Sequence, residues 1–161
     1  MRVSLKRFKS ACQSNRRAVA TVEFAIVAPI FMSIALGVME MGRALDVSTN
    51  LTSAVREAGR FAAMHRNGIV PPGTTTNQKV IQDIRNVLKA NGVNGDAATI
   101  TITHAEGPNQ GQTFDLDSSA NYMQYFNINI SIAYQEVSGF PLKFMHGQSL
   151  RSSIIFRLGL K

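Results

Sequence analysis

RRAVATVEFAIVAPIFMSIALGVM, residues 16–39, decides how the rest of this chain is read. Two arginines, Arg16 and Arg17, stand at its start. A single acid, Glu23, lies just inside the apolar run, and from Phe24 to Met39 there is no charged residue. Val22 to Met39 is 18 residues, about 27 Å as a helix, close to the roughly 30 Å hydrocarbon core of a bilayer. This length favours a membrane span over a cleaved secretory signal, whose apolar region is shorter. Ala35-Leu36-Gly37 has the small-x-small form of a signal cleavage site, but the helical pattern runs past it unbroken. Pro29 removes one helical hydrogen bond and is expected to kink the helix, which membrane helices tolerate.

The charges agree with this reading. The sequence has a net charge of +7 and a pI near 10.1, which at first points to nucleic acid. Six of the basic residues, Arg2, Lys6, Arg7, Lys9, Arg16 and Arg17, lie before the span with no acid among them. Residues 42–161 hold 11 basic and 8 acidic residues. The excess is therefore a cluster beside the membrane. It predicts a cytoplasmic N-terminus by the positive-inside rule and attraction to anionic lipid of the bilayer; nucleic acid is not expected as a partner. Cys12 is the sole cysteine, so no disulfide forms within the chain. No apolar region precedes Cys12, which argues against a lipoprotein anchor.

Beyond Gly42 the helix is expected to continue to about residue 65. Ala44, Val47, Leu51, Ala54, Val55, Ala58 and Ala62 recur at three- and four-residue steps as one apolar stripe. Asn67-Gly68 and Pro71-Pro72-Gly73 are the stop signals. Thr74–Asn77 can cap a second helix with Val80, Ile81, Ile84, Val87 and Leu88 on its apolar side, ending at Asn91-Gly92. The period then changes to two. Strands are expected at 98–103, at 126–133 before a break at Gly139-Phe140-Pro141, and at 150–160. Residues 105–121 read as a long polar loop. The fold class is α+β: a long N-terminal helix, apolar then amphipathic, packed on a small antiparallel sheet with one covered face. The expected organisation is a basic leader at 1–18, a transmembrane helix at 19–41 and an outer domain at 42–161.

No residue pattern calls for catalysis. His65, His104 and His146 are scattered, without metal-ligand spacing. No glycine loop follows a strand to cradle phosphate, and no serine stands in a nucleophile elbow. Asp115-Leu116-Asp117-Ser118-Ser119 offers oxygens but lacks the ligand set of a calcium loop. The chain is not expected to be an enzyme or to carry a cofactor or metal.

Arg16-Arg17-Ala18-Val19-Ala20-Thr21-Val22-Glu23-Phe24-Ala25, followed by an apolar segment with an early Pro29, resembles the processing site of type IV pilin-like proteins. In particular it resembles the TadE-like minor pilins, or pseudopilins, of tight-adherence systems. The resemblance continues through Met39–Ala44 and Ala54–Ala63. Ala18 stands where the family usually has Gly. The resemblance implies cleavage between Ala18 and Val19 by a prepilin peptidase, and a role for Glu23 in assembly. It implies a pilin-like shape, inner-membrane insertion with the C-terminal domain outside, and further partners: the major pilin, a sister pseudopilin and a membrane assembly platform. The other reading is a single-pass, membrane-anchored binding or adhesion domain that never assembles. The two differ over Glu23, because a simple anchor has no need of an acid inside its span.

Overall fold

The computed structural model describes residues 5–64, 70–137 and 147–159, with side chains described from residue 18 onward. The chain forms two compact units, Met1–Met41 and Gly42–Lys161.

Helix α1 spans Leu5–Ala63 and contributes to both units. It begins upstream of the start expected at residue 19, so residues 5–17 are helical. The reason is compositional. Residues 1–17 contain neither Gly nor Pro, and Leu, Lys, Arg, Ala and Gln are among the better helix formers. In the first unit the apolar stretch is not covered by any of the described residues. Phe24 is 71% exposed and Phe31 70%. α1 runs on through Pro29, and the Ser33 hydroxyl donates to the Pro29 carbonyl at 2.8 Å.

The second unit is built on the amphipathic part of α1. Ala44, Val47, Leu51, Ala54, Val55, Ala58 and Ala62 are all buried, as their spacing predicted. α1 ends at Ala63. Asn67-Gly68, the expected stop, lies outside the described residues. Helix α2, Thr76–Ala90, is opened by a capping box: the Thr75 side chain accepts from the Gln78 N–H, and the Gln78 side chain accepts from the Thr75 N–H. Val80, Ile84 and Leu88 are its buried positions.

Three antiparallel strands follow: β1 (Thr99–His104), β2 (Tyr125–Ala133) and β3 (Ser149–Arg157), in that spatial order. The register places Ile102, Ile128 and Ile154 abreast. Ile100, Ile102, Phe126, Ile128, Ile130 and Ile132 face the core, while Thr99, Thr101 and Ser153 face outward. Each fully buried Ile contributes about 1.5–3 kcal/mol. The break expected at Gly139-Phe140-Pro141 lies outside the described residues.

The long loop from Ala105 to Gln124 is anchored, not merely solvated. Phe114 and Leu116 in it are fully buried. Phe114 joins a row of rings: His104 to Phe114 at 4.6 Å between centroids, Phe114 to Phe126 at 5.3 Å, and Phe126 to Phe156 at 5.9 Å. The row ends on α1, where the Phe156 ring lies over Gly59. A Cβ at Gly59 would stand 2.0 Å from Phe156 Cε2. α1 is tied to the rest of the unit at three levels. The Arg43 guanidinium donates to the carbonyls of Gly92 (3.3 Å) and Val137 (3.4 Å). The Thr52 and Ser152 hydroxyls lie 3.1 Å apart. The Ala63 carbonyl accepts from the Gly159 N–H at 3.2 Å.

Candidate functional site

Ala18, Val19, Val22, Glu23 and Ile26 form one face of α1, as steps of three to five residues require. The helix thus places Val19 and Glu23 one turn apart on the same side. Ala18, Val19 and Glu23 are all exposed. Arg16 and Arg17 lie on the preceding turns of α1; their side chains are outside the described set. Pro29 is exposed further along the helix.

The surroundings make Glu23 distinctive. Val19, Val22, Ile26 and Val27 are each more than half exposed around it. In lipid, a carboxylate so placed costs about 2.5–3.5 kcal/mol at mid-bilayer and less near an interface. One cation at the same depth would offset much of that cost.

The family-like motifs have concrete structural jobs. In Ala54–Ala63, Ala54, Val55, Ala58 and Ala62 are buried against the domain core, and Gly59 admits the Phe156 ring. Arg56, Glu57 and Arg60 are exposed. In Met39–Ala44, Arg43 makes the two carbonyl contacts described above and reaches Asp46 at 3.5 Å, while Glu40 is buried.

The other candidate sites resolve into packing. His104 is buried edge-on against Phe114; His65 and His146 lie outside the described residues. The Asp117 carboxylate is committed to the start of α2, accepting from the Thr76 N–H at 2.8 Å and from the Thr76 hydroxyl. Asn77 bridges to the same loop, donating to the Phe114 carbonyl at 2.7 Å and accepting from the Leu116 N–H at 3.0 Å. Among the described residues no group of three His, Cys, Asp or Glu side chains is arranged to hold a metal. Sequence reasoning missed the roles of Gly59 and Asp117. The only signal for Asp117 was chemical: an acid favours a helix N-terminus, but its partner helix lies 41 residues earlier.

Among the described residues one helix, over Ala18–Ala63, is long and apolar enough by length and composition to cross a membrane. No curated protein and no solved structure matches the chain. Residues 18–60, which hold the apolar stretch and most of the motif residues around it, match the model of the family described as TadE-like protein.

Proposed function

We propose that this chain is a minor pilin-like subunit of a tight-adherence type pilus. On this reading it inserts in the inner membrane with residues 1–18 in the cytoplasm and residues 42–161 outside. A prepilin peptidase removes the leader between Ala18 and Val19. The processed helix then leaves the lipid to pack with the helices of the major pilin and a sister pseudopilin on a membrane assembly platform. The observation that carries the reading is Glu23: one exposed acid on the same helix face as Val19, inside the TadE-like segment, beside sixteen residues without charge.

The chemistry supports such a sequence of events. Cleavage removes the six leader cations and creates one α-amino group on Val19. The amine has a reference pKa of about 7.7–8.0, so it is largely protonated at neutral pH. It lies one turn from Glu23 in its own helix, and within reach of a neighbour's Glu23 when helices stagger. In low dielectric an unpaired charge is far costlier than a paired one, so this contact acts mainly as a check on register. Because the 18–19 bond lies within α1, that turn of helix must open for the peptidase.

The test is the mature N-terminus, read by mass spectrometry of the membrane fraction. The expected product starts at Val19, and Ala18→Phe leaves the precursor inserted but uncut. A wild-type protein that retains residues 1–18, or that starts near Val38, rules the proposal out.

A further inference from the structure

The two edges of the sheet are finished differently. β1 is covered by its own loop: the His104 N–H donates to the Gln112 carbonyl and the Phe114 N–H to the Ile102 carbonyl, each at 2.9 Å, with a bridge between Thr103 and Thr113. β3 has no such cover among the described residues. It is nine residues long, and its register with β2 is unbroken from Tyr125↔Arg157 to Ala133↔Ser149. Edge strands are commonly blunted by Pro, bulges, short length or charged side chains. β3 has no Pro and no bulge, its charged residues are Arg151 and Arg157, and Ile155 on it is 55% exposed.

A groove of about 710 Å³ runs between this strand and α1. Phe61, Met64 and Phe156 supply apolar lining, and Arg56, Glu57 and Arg60 stand along its helical wall. On the strand itself, Arg151 and Arg157 are exposed. None of these five charged side chains is in an ion pair among the described residues. Four guanidinium groups and one carboxylate therefore border the edge.

We propose that the open edge of β3 takes an extended, acidic segment of a partner chain as a fourth strand. Main-chain bonds to β3 would supply affinity. Alternate side chains of the added strand would lie in the groove against Phe61 and Met64, and its acids, on the other face, would meet Arg151 and Arg157. A second copy of this chain fits poorly. Antiparallel pairing of two β3 strands over their full length brings Arg151 of one diagonal to Arg157 of the other, and like charges so placed are destabilising. This surface goes beyond the proposed pilin role and does not depend on cleavage or on Glu23.

The experiment uses the full chain in detergent micelles and three fluorescent peptides of nine residues, the length of β3. One alternates Glu with Val, one alternates Lys with Val, and one is the Glu peptide N-methylated at alternate amides. Anisotropy should show the Glu peptide binding at least about tenfold tighter than the other two, and more weakly as salt rises. The double variant Arg151→Glu, Arg157→Glu, checked for an intact fold by circular dichroism, should reverse the preference toward Lys. Equal binding of the Glu and Lys peptides, indifference to N-methylation, or no binding up to about 1 mM overturns the proposal. So does sedimentation showing that the chain pairs with itself through this edge, with dimerisation lost on Ile155→Lys.

Discussion

Replacing Gly59 with alanine should destabilise the outer unit, although alanine is the better helix former. The added Cβ would stand 2.0, 2.3 and 2.6 Å from Phe156 Cε2, Cζ and Cδ2. Carbon atoms rest at about 3.5–4.0 Å, so the ring must retreat by about 1.5 Å. It cannot retreat inward, because it stacks on Phe126, which in turn meets the fully buried Phe114. It must swing outward, losing part of that stacking. Overpacking of this kind costs about 1–3 kcal/mol, and the gain in helix propensity returns about 1 kcal/mol. The net expectation is a loss of up to about 2 kcal/mol. Gly42 is the control, since nothing lies within 4 Å of a Cβ there; Gly42→Ala should be neutral or stabilise by up to about 1 kcal/mol. Urea unfolding of the full chain in micelles, followed by the near-ultraviolet dichroism of the buried Tyr134, reports on this unit. If the two variants shift stability alike, the close approach of Phe156 to α1 is not a constraint and the reasoning fails.

Three further outcomes are expected. Asp117→Ala should lower stability by about 1–2 kcal/mol by uncapping α2, whereas calcium or a chelator should leave the wild-type melting midpoint unchanged; a calcium-dependent rise would mean that the loop holds an ion. A phosphatase reporter fused after Lys161 should be active, as the basic leader requires, and activity only from an N-terminal fusion would reverse the topology. Glu23→Gln should leave insertion and cleavage near normal while reducing crosslinking to the major pilin or sister subunit; undiminished crosslinking would favour the simple-anchor reading.

What the sequence revealed, and what it hid, divides along physical lines. Periodic elements were readable because burial repeats with the backbone: Ala44 to Ala62 on α1, Val80, Ile84 and Leu88 on α2, and Ile128, Ile130 and Ile132 on β2 are all buried. Leu158, within the strand expected at 150–160, is buried one residue beyond the end of β3. Phe114 and Leu116 were missed because a loop residue that plugs a core has no period to announce it. Asp117 was missed for a related reason: its partner is distant in sequence, and an Asp-rich loop looks the same whether it binds water, a metal or a helix end. The helical start at Leu5 was missed by weighing charge above propensity. For the candidate site, Ala18, Val19 and Glu23 stood out through pattern and family resemblance, and the helix adds that they share a face.

The three ties between α1 and its domain have a mechanical consequence. Arg43, the Thr52–Ser152 pair and the Ala63 carbonyl are spread over residues 43–63, and each joins the helix to a different part of the chain: Gly92 and Val137, then β3, then Gly159. A pull along the axis of α1 loads these ties and the buried alanine seam between them in parallel, so that they must shear together. A pull on the chain after β3 would instead load the Gly159 tie first and peel the contacts in turn. A domain joined to its helix in this way should bear tension far better through the helix than through its C-terminal end.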